Sequence, residues 1–157
     1  MRGSVLVFSL SLSLTSAATA ATAQEHLWVA RFQAGRSAIH AWGQGGVWGE
    51  ARLGRSFVGG VLSADLGLAV SGSDEGYASL TAGLEALPFP RAMVSPFARA
   101  EVGVLGEPEY GGYVAGIGGG LSVRLSDRLS LRGGATWGVH GDVKGPVVYY
   151  GGLQLRW

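Results

Sequence analysis

From position 61 onward the sequence runs with period two, and one parity never carries a charge. That parity holds Leu62, Ala64, Leu66, Leu68 and Val70, then Ala78, Leu80, Ala82, Leu84 and Ala86, then Ala98, Ala100, Val102 and Val104. It continues through Tyr113, Ala115, Ile117, Gly119, Leu121, Val123 and Leu125, then Leu129, Leu131, Gly133, Ala135, Trp137 and Val139, and ends on Val147, Tyr149, Gly151, Leu153, Leu155 and Trp157. Successive side chains of a strand point to opposite faces. The chain therefore reads as a series of strands with one uncharged face. The opposite parity collects Asp65, Glu85, Arg99, Glu101, Arg124, Arg132, Gln154 and Arg156, and strands one and two add Arg31, Glu50 and Arg52.

The alternation divides into eight candidate strands: 26–35, 47–56, 61–71, 77–87, 96–105, 113–126, 128–140 and 147–157. Most approach the ~9–11 residues that a tilted membrane-crossing strand requires. Connections carry turn chemistry. The one at 126–128 is very short, while 71–76, 106–112 and 141–146 are longer and contain Gly, Pro or acidic residues. Pro88 and Pro90 close the fourth strand, since proline cannot donate to a ladder.

Alternation alone does not say which face is inside, because soluble and membrane barrels both alternate. Two features decide for a membrane wall. Aromatics on the uncharged parity sit near strand ends, with Trp28 and Trp157 at one rim and Tyr113, Trp137 and Tyr149 at the other, which fits two interfacial girdles. The charged parity mixes Arg, Glu and Asp with Gly and Ser, and Lys144 is the chain's only lysine. That composition suits a narrow interior in which small residues make room for paired charges. The expected interior network is Glu50, Arg52, Asp65, Glu85, Arg99, Glu101, Arg124, Arg132 and Arg156. It would fill the lumen rather than line a pore, because eight strands leave space only for side chains.

Residues 1–23 read as a secretory signal peptide. Arg2 supplies the positive start, residues 5–14 the apolar stretch, and Ala21 and Ala23 the small positions of a cleavage site before Gln24. The mature domain is then 24–157, exported to the cell envelope. Without Arg2, 11 basic residues face 11 acidic ones. This balance gives no support for a nucleic-acid partner. The absence of cysteine excludes disulfides, thiolate metal sites and a lipid-bearing N-terminal cysteine. His26, His40 and His140 are too dispersed to suggest a metal site. The glycines of 116–120 lead into a further strand rather than a helix, so they do not read as a phosphate loop.

The end of the chain, Gly152-Leu153-Gln154-Leu155-Arg156-Trp157, resembles the C-terminal strand of bacterial outer-membrane β-barrels. The run from Gly116 to Arg132 is similar to the sixth strand, short turn and seventh strand of the small OmpA/OmpX-like, porin-family barrels. Trp157 stands where that family usually ends in Phe. The resemblance implies an all-β, eight-stranded, antiparallel, up-and-down transmembrane barrel with its N-terminus on the periplasmic side. It also implies that Tyr149, Leu153, Leu155 and Trp157 form a strip recognised by the barrel-assembly machinery. The expected protein is a monomeric integral outer-membrane barrel in contact with lipid. Its role would be structural or one of surface interaction, with no cofactor, metal or catalytic residues. Two alternatives stay open. One is a soluble lipocalin-like barrel around a small apolar ligand. The other is a lipid-modifying outer-membrane enzyme, although His140-Gly141-Asp142 lacks the serine of the lipid A deacylase motif.

Overall fold

The computed structural model describes residues 28–37, 46–71, 78–106, 111–140 and 143–157. The predicted cleavage residues Ala21, Ala23 and Gln24, and His26 and His40, lie outside them. Eight strands follow in order: β1 (Trp28–Ser37), β2 (Val47–Phe57), β3 (Leu62–Ser71), β4 (Ala78–Ala86), β5 (Val94–Gly106), β6 (Gly111–Arg124), β7 (Leu129–His140) and β8 (Val143–Arg156). Each pairs antiparallel with its sequence neighbour, and β8 pairs with β1 to close the barrel. Closure leaves no free sheet edge. At the seam the Trp28 N–H donates to the Trp157 carbonyl at 3.0 Å, and the Trp157 N–H donates back at 3.1 Å.

One end, here called the turn end, holds Trp28, Trp157 and the connections 58–61, 87–93 and 125–128. At the opposite, loop end β1, β3, β5 and β7 finish and β2, β4, β6 and β8 begin. The first turn demands unusual backbone: Val58, Gly59 and Gly60 have φ of 52°, 63° and 85°. Glycine accepts such angles freely, whereas a β-branched valine is strained by them.

Two boundaries differ from the sequence-based expectation. The stretch 141–146 was expected to be loop, yet β8 begins at Val143. The β7–β8 register shifts between Trp137 and Val139, and Pro146 falls beside that irregularity, where a missing N–H costs no regular ladder bond. The fifth strand starts at Val94 rather than 96, with Pro96 inside it and opposite Leu121.

The faces follow the predicted parities. Leu66, Leu84, Val102, Ile117 and Leu121 are exposed on the outer wall, while Arg31, Arg52, Asp65, Glu85, Arg99, Arg132 and Gln154 are buried inside. A water-soluble protein distributes these types the other way. Among the outward strand positions whose side chains the structure describes, the charged residues are Arg36 and Arg55, each near a strand end.

Candidate functional site: the charged lumen and the apolar wall

The lumen is built around Asp65, whose side chain is fully shielded from solvent. Its carboxylate meets donors from three strands. Oδ1 accepts from Arg52 Nε at 2.8 Å and from Arg99 Nη2 at 2.6 Å. Oδ2 accepts from Arg31 Nη1 and, at 3.3 Å, from Arg99 Nη1. All four acceptor sites of the carboxylate are thereby used.

Three other carboxylates complete the set. Glu85 accepts from Arg31 Nη2 at 2.9 Å and lies 2.9 Å from Arg132 Nη2. Glu101 Oε2 accepts from Arg52 Nη1 at 3.0 Å and Arg99 Nε at 3.1 Å. Glu50 pairs with Arg52. Four arginines thus face four carboxylates, and the buried charge is balanced. A buried ion costs several kcal/mol unless it is paired and hydrogen-bonded, which explains why several fixed partners surround the guanidinium groups of Arg31, Arg52 and Arg99, while Arg132 is held by Glu85 alone among the carboxylates. Neutral groups finish the arrangement: Arg31 also donates to Gln154 Oε1 at 3.0 Å and Ser63 Oγ at 2.7 Å.

Glycine on the inward parity makes the network possible. A Cβ at Gly83 would collide with the Arg99 guanidinium, and would stand 2.9 Å from both Arg52 Nη2 and Asp65 Oδ1. Beside the charges lies an aromatic group. Trp48 meets Tyr150 edge-on, with centroids 6.3 Å apart, and the Arg132 guanidinium stacks 3.9 Å over the Phe97 ring. Towards the loop end a cavity of about 70 Å³ is lined by Gln33, Trp48, Glu50, Thr81, Thr136 and Tyr150, among others. Trp48 Nε1 and Thr81 Oγ1 have no protein hydrogen-bond partner there. The space suits one or two waters bridging those groups. It is far below the ~300–1,000 Å³ of sites for drug-sized ligands.

The structure therefore brings together Glu50, Arg52, Asp65, Glu85, Arg99, Glu101 and Arg132 of the expected network. It does not place Arg124 and Arg156 in it. Arg124 ends β6 and pairs only loosely with Asp127 of the next turn, at 3.9 Å, with a side chain 35% exposed. Arg156 ends β8, half-buried, and takes part in no ion pair among the described residues. Both share the inward parity, but parity carries no information on depth. Arg31 was placed on the inward parity but left out of the expected network, and it is fully buried there with four partners. The inward aromatics Trp48, Phe97 and Tyr150 were missed. Their signal was present in register: Tyr150 lies opposite Gly35 and Gly134, and Phe97 opposite Gly120, so large residues fill space that glycines leave. Tyr149, Leu153, Leu155 and Trp157 all point outward and are exposed on the wall.

The outer wall carries a shallow groove of about 830 Å³ across β2–β7, walled by apolar residues such as Leu66, Leu84, Val102 and Ile117 and floored by Ala64, Ala82, Ala100 and Ala115.

No family model matches the sequence, and no curated protein matches it in sequence. The fold has clear counterparts among solved structures. The crystal structure of Neisserial surface protein A matches with a TM-score of 0.68 at 13% identity, over 84% of this chain and 97% of that one. The outer-membrane protein Ail of Yersinia pestis, solved in phospholipid bilayer nanodiscs, matches at 0.51 and 14% identity, over 82% and 99%. The outer-membrane enzyme PagL matches at 0.52 and 16% identity, over 81% and 98%. At these identities the likeness is one of fold: this chain has the closed eight-stranded barrel found in small outer-membrane proteins of differing activity.

Proposed function

We propose that this chain is an integral outer-membrane β-barrel whose lumen is closed by its ion-pair network, with a structural or surface-interaction role rather than that of an open pore. The turn end faces the periplasm and the loop end faces outward. The observation that carries this reading is the inverted distribution of residues. Four paired arginines and four carboxylates occupy the interior, while leucine, valine and aromatics occupy the wall. Water on the outside would leave a continuous apolar surface exposed, which soluble monomers avoid. A lipocalin-like role is disfavoured for a second reason: the lumen offers charge and about 70 Å³, not an apolar chamber.

Export by residues 1–23, cleavage before Gln24 and recognition of the Tyr149–Leu153–Leu155–Trp157 strip by the barrel-assembly machinery belong to the same proposal. So does a monomeric, non-catalytic protein. PagL has this fold and is an enzyme, so the fold does not decide catalysis. The non-catalytic reading rests on the lack of a serine after His140.

Two measurements test the proposal. Protein extracted from outer membranes should migrate faster on detergent gels when unheated, as a folded barrel does. Reconstituted in planar bilayers, it should pass little current. Protein found only in the soluble periplasm would refute the membrane reading, and large stable single-channel steps would refute the closed lumen.

A further inference from the structure

The groove on the wall has a polar feature at one end. Arg55 points outward on β2, is exposed, and forms no ion pair among the described residues. It lies directly opposite Ala64 on one side and Trp28 on the other. From there a single cross-strand row runs Arg55, Ala64, Leu84, Ala100, Ile117 and Trp137, and all but Arg55 line the groove. The row begins near the turn end, since Arg55 lies two residues before the end of β2 at Phe57. It finishes higher, with Trp137 eight residues into β7 from Leu129.

The dimensions are those of a lipid chain. Five interstrand steps of ~4.8 Å give a row about 24 Å long. Strands of such a barrel tilt by about 35–45°, so a hydrogen-bonded row climbs at that angle to the membrane plane. The row therefore rises by roughly 15 Å, half of the ~30 Å hydrocarbon core. It starts at a guanidinium, whose planar fork matches phosphate. Trp28, across from Arg55 in the ladder, is the type of side chain that settles at headgroup level.

We propose that this face binds one glycerophospholipid of the periplasmic leaflet, with its phosphate on Arg55 and an acyl chain in the groove floored by Ala64, Ala82 and Ala100. The inference rests on the membrane reading above. An isolated outward arginine can simply extend its head to water. Here it stands at the foot of an apolar furrow that climbs one leaflet. Arg36 supplies the internal comparison: it is also outward and exposed, but near the loop end, opposite Tyr149 and Val47 and away from the groove.

The test is native mass spectrometry of the folded full chain, released from detergent micelles doped with phosphatidylglycerol. Wild type should retain one phosphatidylglycerol. Arg55→Gln should lower its apparent affinity about tenfold, the scale of one lost charge-assisted contact. Ala82→Leu with Ala100→Leu fills the groove with apolar side chains that a lipid-facing wall accepts, and should weaken retention similarly. Arg36→Gln should change nothing. Any of four results overturns the inference: no lipid retained by wild type, equal retention by Arg55→Gln, equal loss in Arg36→Gln, or preference for lipopolysaccharide over phosphatidylglycerol. Unheated gel mobility is scored for every variant. A wild type that never inserts into membranes refutes the membrane reading, whereas folded, inserted variants with unchanged lipid retention refute only the lipid site.

Discussion

Replacing Asp65 by Asn tests the lumen network at its centre. The substitution preserves shape and removes one charge. Asp65 accepts four bonds from three arginines, two on each oxygen. An asparagine retains one oxygen, which can serve one pair of these donors. Its amide nitrogen must face the other pair, donor against donor. Four buried arginines would then share three carboxylates. Hydrogen bonds to charged groups are worth about 1.5–3 kcal/mol each, and breaking a buried pair by removing one partner costs about 3–5 kcal/mol. We expect Asp65→Asn to destabilise the barrel by about 3–5 kcal/mol. The assay is reversible urea unfolding in phospholipid vesicles, followed by tryptophan fluorescence and by gel mobility. Adding Arg99→Gln restores the balance of charge, because Arg99 is the residue that bonds both Asp65 oxygens. The double variant should therefore lose less than the sum of the two single losses, by at least about 1 kcal/mol. A single variant within about 1 kcal/mol of wild type, together with strict additivity in the double, would show that the network does not hold the lumen together.

Three further outcomes follow from the same geometry. Leu121→Arg puts a charge on the wall and should cost about 2–4 kcal/mol if it lies near the membrane midplane; vesicle unfolding equal to that of Leu121→Ala would mean the faces are assigned wrongly. Gly83→Ala should cost about 1–3 kcal/mol through overpacking, because its Cβ would displace the Arg99 guanidinium from Asp65, and unchanged stability would contradict that crowding. Deleting Trp157 removes both backbone bonds to Trp28 at the seam and the end of the proposed assembly strip, so less folded protein should reach outer-membrane fractions, while Trp157→Phe should be nearly silent; equal amounts for the deletion and wild type would remove the assembly role.

Strand count, parity and inversion could all be read from residue order. Side chains alternate strictly along a strand, so an uncharged parity that includes Leu121 and Leu153, set against one holding Arg132 and Gln154, places each residue inside or outside without any knowledge of neighbours. The short turn after Arg124 and the aromatic close at Trp157 were legible for the same local reason. What alternation does not encode is depth and partnership. Arg124 and Arg156 share the inward parity with Arg132, yet lie outside the network at the ends of their strands, whereas Arg31 is held by partners 32 to 123 residues away. Register between strands decides such matters, and register depends on the closed barrel's stagger. The same holds for the space Gly83 yields to Arg99 and for the row joining Arg55 to Trp137. Those juxtapositions run across strands, perpendicular to the sequence, so they exist only once neighbouring strands have paired in register.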